Sequence, residues 1–143
     1  MSSALYNRDI LRLASSLVAG DHLEKPDGTA ESRSPICGSR IQVDVTIDTL
    51  GKISDLAVRA NSCALGQASA AILRSRAVGL ERKEITHVRN GVANALSGLS
   101  NMPDIWPELA VLSPAKDYPS RHAAILLPYD ALLLATDTLM GPR

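Results

Sequence analysis

Phenylalanine is absent from this chain, tryptophan occurs once and tyrosine three times in 143 residues. A core built almost without large rings must be aliphatic and fine-grained. Net charge is missing too: 15 basic residues balance 15 acidic ones at neutral pH. That balance argues against a dominant footprint for nucleic acid or an anionic membrane, though not against a local basic patch. There is no long apolar run. The longest, Ala123 to Ala135, is broken by Pro128 and Asp130 and is too short to span a bilayer. Met1 to Tyr6 carry neither the basic n-region nor the apolar h-region of a secretory signal. No phosphate-binding glycine pattern, Ser-His-Asp arrangement or paired-carboxylate spacing is present, and there are no internal repeats. The expectation is one cytoplasmic domain over 1–143, with no membrane or nucleic-acid partner.

Cysteine is scarce as well, and the two present, Cys37 and Cys63, carry the argument. A chain of this length buries roughly 68–70% of its unfolded surface and needs no disulfide. In a reducing compartment paired cysteines favour metal or redox work over a structural staple. Both thiols are therefore expected to be reduced.

The pattern along the chain is α+β, a small antiparallel sheet packed against several α-helices. Asn7 caps a first helix with Asp9 in its first turn. Ile10, Leu13, Ala14, Leu17 and Val18 form its buried stripe, and Gly20 stops it. Asp21 to Ser34 reads as a surface loop. Arg40 to Asp48 then alternates cleanly: Ile41, Val43, Val45 and Ile47 face a core, and Gln42, Asp44, Thr46 and Asp48 face water. A turn at Asp48–Lys52 leads into a returning strand with Leu56, Val58 and Ala60. Cys63 ends that strand, and Leu65, Ala68, Ala71 and Ile72 stripe the next helix. A third helix spans Arg82 to Leu96. Asn101 to Pro114 reads as an irregular connection. Pro119 opens a last helix to about Leu139, with a kink or break expected at Pro128.

A hairpin returns the chain to where it left, so Cys37 and Cys63 can meet at one edge of the sheet. A helix N-terminus at Ala64 favours a Cys63 thiolate, the form that ligates metals. Gly38 lets the backbone beside Cys37 bend tightly. His122, at the start of the last helix, would add a borderline imidazole ligand suited to zinc or iron. The bland alternatives are that the cysteines are small buried hydrophobes and that His122 is a helix-end residue. His87 lies on a charged, solvated helix, and His22 is given no role.

Pro35-Ile36-Cys37-Gly38, the Ser62–Ala70 stretch around Cys63, and the order helix, hairpin, cysteine, helices resemble the U-type iron–sulfur cluster assembly scaffolds, the IscU, SufU and NifU N-terminal group. The insertion before the last helix and Pro119-Ser120-Arg121 resemble the SufU branch. The resemblance implies a scaffold that turns over no substrate of its own, with an iron–sulfur cluster, iron or zinc held at Cys37, Cys63 and His122, and with a cysteine desulfurase and iron–sulfur client proteins as partners. Two family ligands are missing: Ser39 stands where the family has Asp, and Ala124 where it has a third, sulfur-accepting cysteine. The alternatives kept open are a metal-free scaffold acting as a binding partner, and a small enzyme using a Cys–His pair. The three-ligand reading expects both thiols and one ring nitrogen of His122 to face a common pocket, about 4–6 Å apart.

Overall fold

A computed structural model of the chain describes residues 7–35 and 38–137. Helix α1 (Arg8–Ser15) opens as expected, with the Asn7 side-chain oxygen accepting from the Ile10 N–H at 3.0 Å. It ends earlier than Gly20. The Ser16 hydroxyl turns back to donate to the Leu13 carbonyl at 2.6 Å, the local competition by which serine ends helices. Val18, expected on the buried stripe, is exposed.

The segment expected to be a plain loop contains a strand, β1 (Gly28–Arg33). It pairs antiparallel with β2 (Arg40–Ile47), which pairs antiparallel with β3 (Ile53–Asn61), giving the order β1-β2-β3. The alternation in β1 was hidden by chemistry. Gly28, Ala30 and Ser32 stand opposite Val45, Val43 and Ile41, so the inward face carries small residues rather than large apolar ones. Their small size leaves room for the last helix to lie across β1 and β2. The turn between β2 and β3 is held by Asp48, whose carboxylate accepts from the Leu50 and Lys52 N–H groups at 2.9 Å each.

Ile41, Val43, Val45, Leu56 and Val58 are fully buried on one face of the sheet, as the alternation requires. Ile47 is only half-buried, because the register slips between Thr46 and Ile47. The other face is drier than expected. Asp44, placed by the alternation on the wet face, is buried because the chain after α1 folds over it. The Asp44 carboxylate accepts from both terminal nitrogens of Arg59, at 2.9 and 3.1 Å, and from the Leu23 N–H at 3.0 Å. Asp21 adds a second clamp, accepting from Arg74 at 3.0 Å and from the Val58 N–H at 3.3 Å.

Helices α2 (Ala64–Arg76), α3 (Arg82–Leu96) and α4 (His122–Thr136) complete the core. α4 carries buried residues on almost every side, among them Ile125, Tyr129, Leu132 and Leu133, the pattern of a central helix. It packs on the sheet, on α2 and on α3, while α1 packs on α2. The connection expected to be irregular is organised as 3₁₀ turns over Pro107–Asp117 and Pro119–Arg121. Trp106 precedes them and stacks on Tyr129, with ring centroids 6.3 Å apart.

Pro128 does not break α4, which runs unbroken through it. Proline removes the donor that the Ala124 carbonyl would otherwise receive within the helix. That carbonyl faces Gly66 of α2, and the next one, of Ile125, accepts the Ser69 hydroxyl at 2.6 Å. Of the kink or break expected at Pro128, the break is absent, and α2 packs against the turn that proline leaves short of a donor. α4 ends at Thr136 with Asp137 as its C-cap; the rest of the expected run to Leu139 lies outside the described residues. Among the described residues no helix is long and apolar enough to cross a membrane.

Candidate functional site

Three chain segments meet at the end of the sheet where β2 begins and β3 ends. The first is the β1–β2 hairpin. The Gly38 N–H donates to the Ser34 carbonyl at 2.8 Å and the Ser34 N–H to the Ser39 carbonyl at 2.9 Å. Gly38 adopts φ +73°, a conformation that costs a side-chain-bearing residue strain and glycine none. Cys37, in this hairpin, lies outside the described residues, so its side chain is not placed. The chain on its C-terminal side is placed. The buried Ser39 hydroxyl is 3.0 Å from the Ser62 hydroxyl, and Arg40 pairs directly with Asn61. The residue two past Cys37 therefore touches the residue immediately before Cys63.

Cys63 occupies the N-cap of α2, with extended backbone (φ −65°, ψ 168°) and no hydrogen bond from its side chain into the helix. It is a free, half-buried thiol. Its carbonyl accepts the Gln67 N–H at 2.9 Å, so the helix does not depend on the sulfur for its first turn. Serine, threonine, aspartate or asparagine would cap this helix better.

His122 opens α4. Its Nε2 lies 2.8 Å from the Ala115 carbonyl oxygen. A carbonyl only accepts, so Nε2 carries the proton in the neutral ring and Nδ1 keeps its lone pair. Metal-binding histidines use the same arrangement: one ring N–H is tied to a carbonyl, and the other nitrogen is left to ligate. The first turns of α2 and α4 are in register with each other. A Cβ built on Gly66 would stand 3.3 Å from the Ala124 carbonyl oxygen and 2.0 Å from the Ser62 hydroxyl. Gly66 lies three residues after Cys63, and Ala124 two after His122.

The structure thus brings together the starts of α2 and β2, and packs the first turn of α4 on that of α2. Among the described residues no group of three or more His, Cys, Asp and Glu side chains is poised around one point. Ala124, where the resemblance places a third cysteine, is fully buried. Ser39, where the family has Asp, spends its hydroxyl on Ser62. His87 stands apart, on α3, in a groove with Leu80, Ile105 and Trp106. Two features were not read from the sequence, the Ser39–Ser62 link and the Ala115 partner of His122. A Ser on each flank of the paired cysteines was the one visible signal for the first. The second depends on a 3₁₀ run that composition does not announce.

Gly66 is what allows this close approach. In Gly66→Ala the gain in helix propensity is set against displacement of the Ser62 side chain and a crowded α4 backbone. We expect a net loss of about 1–2 kcal/mol, read as a lower urea midpoint at unchanged m-value.

A small α+β protein with a thiol at a helix N-cap beside a tightly returned hairpin, and a tautomer-fixed histidine opening the helix packed on that one, is the class this geometry defines. Residues 6–123 match the NifU-like N terminal domain family, and the chain belongs to it. The fold is that of the NifU-like and SufU-type scaffold proteins. The chain is similar to a nitrogen-fixing NifU-like protein (N-terminal) from Brucella abortus, with 28% identity and a TM-score of 0.89 over 96% of this chain and 95% of that one. It also shares the fold of a candidate iron–sulfur cluster assembly scaffold protein for the SUF system from the thermophile Fervidobacterium islandicum AW-1. There the identity is 22% and the TM-score 0.83, over 94% of this chain and 98% of that one. No curated protein matches the chain.

Proposed function

We propose that this protein is an iron–sulfur cluster assembly scaffold-like carrier that holds iron, an iron–sulfur cluster or zinc at Cys37, Cys63 and His122. The observation that carries the reading is the 3.0 Å Ser39–Ser62 contact, which ties the chain beside Cys37 to the chain beside Cys63. Thiolate and imidazole are the donor set that zinc and iron–sulfur centres take. The metal or cluster is cargo here. The chain supplies two soft anions, one imidazole with its free lone pair fixed at Nδ1, and a half-buried setting. A cysteine desulfurase as sulfur source and iron–sulfur apoproteins as recipients are the partners that family membership suggests, in the cytoplasm.

Ala124 supplies no thiolate, so sulfur acceptance from a persulfide falls to Cys63 or Cys37. Attack on a persulfide needs an accessible thiolate, and Cys63 is half-buried rather than enclosed.

Anaerobic reconstitution with ferrous iron, sulfide and thiol tests the proposal. We expect a thiolate-to-iron absorption envelope with stoichiometric iron and sulfide. His122→Ala should weaken metal binding by about 10–100-fold, the usual cost of disturbing one ligand or its support. Protein that takes up neither iron nor zinc, yet still binds a cysteine desulfurase, would replace this reading with that of a metal-free binding partner.

A further inference from the structure

A cavity of about 330 Å³ lies against the outer face and free edge of β3, walled by the chain after α1 and by the first turn of α2. Its volume is at the small end of small-molecule sites. Leu17 and Val18 give it one apolar wall, and Arg40, Gln42, Asn61 and Gln67 bring polar side chains to it. None of those four polar side chains has a hydrogen bond or ion pair with any described residue. Asn61 is two residues before Cys63, and Gln67 is bonded to the Cys63 carbonyl, so the cavity abuts the candidate site.

Three features state what the cavity would take. Arg40 stands directly opposite Arg33 on the same face of the sheet. Like charges so placed repel. Arg33 is offset by Glu31, whereas Arg40 is offset by nothing among the described residues, which calls for an anion. The Val58 N–H bonds to Asp21, so it points off the edge of β3. By the alternation of an antiparallel ladder, Ala60, two residues on, also directs its N–H and C=O off that edge. Both residues line the cavity. An unpaired cation beside a strand edge left open at Ala60, the Val58 N–H being taken by Asp21, suits a short peptide with a carboxylate.

We infer that this cavity binds a low-molecular-weight cysteinyl peptide, with its carboxylate on Arg40 and its amide on the edge of β3, so that its thiol is presented at Cys63 as a ligand that Ala124 does not provide. The inference rests on the reading of Cys63 as a metal ligand. The step is coordination without electron transfer: the thiol loses its proton to solvent and the sulfur donates an electron pair to the metal.

Glutathione and S-methylglutathione are the probes, the second keeping the carboxylates and amides but not the thiol. Titrated into the metal-free protein, S-methylglutathione should bind saturably, shift the Gln42, Asn61 and Gln67 side-chain amide resonances, and weaken at least tenfold in Arg40→Gln. Circular dichroism and the urea midpoint check that this variant is folded. In the cobalt(II)-loaded protein, glutathione should add sulfur-to-cobalt charge-transfer intensity that S-methylglutathione does not. Absence of saturable binding, or equal binding by Arg40→Gln, overturns the cavity assignment. Equal spectra with the two probes overturn the delivery of sulfur. Failure of cobalt to bind at all, with peptide binding intact, overturns the metal reading of Cys63 and the delivery with it, while the cavity assignment stands.

Discussion

Cys63→Ser is expected to lower affinity for zinc or cobalt at least 100-fold and to abolish cluster reconstitution, with no loss of fold. The chemistry gives the first half. A soft anionic thiolate is replaced by a neutral hydroxyl, which is a poor ligand for the metals that thiolates select, and 100-fold is about 2.8 kcal/mol. The structure gives the second half. The sulfur makes no hydrogen bond into α2, and it is half-buried at the rim of the core rather than inside it. Serine at an N-cap accepts from the N2 or N3 amide and stabilises the helix by up to about 1 kcal/mol. The variant should therefore unfold at the same urea concentration as wild type or a higher one. Metal competition with a chromophoric chelator and urea unfolding, on the same preparation, separate the two effects. Loss of both together would show that Cys63 is a packing residue.

Asp44→Asn is expected to destabilise the protein by about 3 kcal/mol at neutral pH, the low end for breaking a buried ion pair. The carboxylate is almost fully buried, while Arg59 reaches solvent with about a quarter of its side chain exposed. That access tempers the cost of leaving the guanidinium unpaired. The Asp44 carboxyl is held below its ordinary range, chiefly by the hydrogen bonds from Arg59 and also by the Leu23 N–H, against the opposing effect of burial. A depressed folded-state pKa stabilises the fold fully above the unfolded value, near about 3.9. The contribution fades as pH falls through the lower folded value. The gap between wild type and Asp44→Asn should be constant from neutral pH down to about pH 5 and then close in acid. The expected loss extends to the cavity, since Asp44 anchors the segment that leads away from its wall. Urea unfolding of both proteins across that pH range reads the effect directly. A gap that widens in acid would contradict the assignment of charge.

The fold was legible wherever burial and period agreed. Ile41, Val43, Val45, Leu56 and Val58 announced a sheet with one dry face, and all five are fully buried. Asn7 announced a cap and holds one. β1 was illegible because its inward residues, Gly28, Ala30 and Ser32, are small; they fit under α4 without looking apolar. Asp44 misled in the opposite sense. Alternation assigns a side chain to a face, but whether that face stays wet depends on a later fold of the chain, here the Asp21–Leu23 segment. Pro128 does not break α4; the carbonyls of Ala124 and Ile125 on that turn face Gly66 and Ser69 of α2 instead.

The candidate site was legible in its sequence neighbours rather than in its ligands. Cys63 sits at the N-cap that the start of the helical stripe required. The hairpin argument for an approach of the two cysteine segments is supported by the Ser39–Ser62 contact. The tautomer of His122 was not legible, because it is set by a carbonyl seven residues upstream, at the end of a 3₁₀ run. Nor was Arg40, whose isolation follows from strand register and not from its place in the sequence.

Zinc K-edge X-ray absorption of the zinc-loaded protein tests the central claim most directly. The account predicts a first shell with two sulfurs near about 2.3 Å and a nitrogen near about 2.0–2.1 Å, the nitrogen being lost in His122→Ala and one sulfur in Cys63→Ser. A shell of oxygen and nitrogen alone, unchanged in both variants, would contradict it.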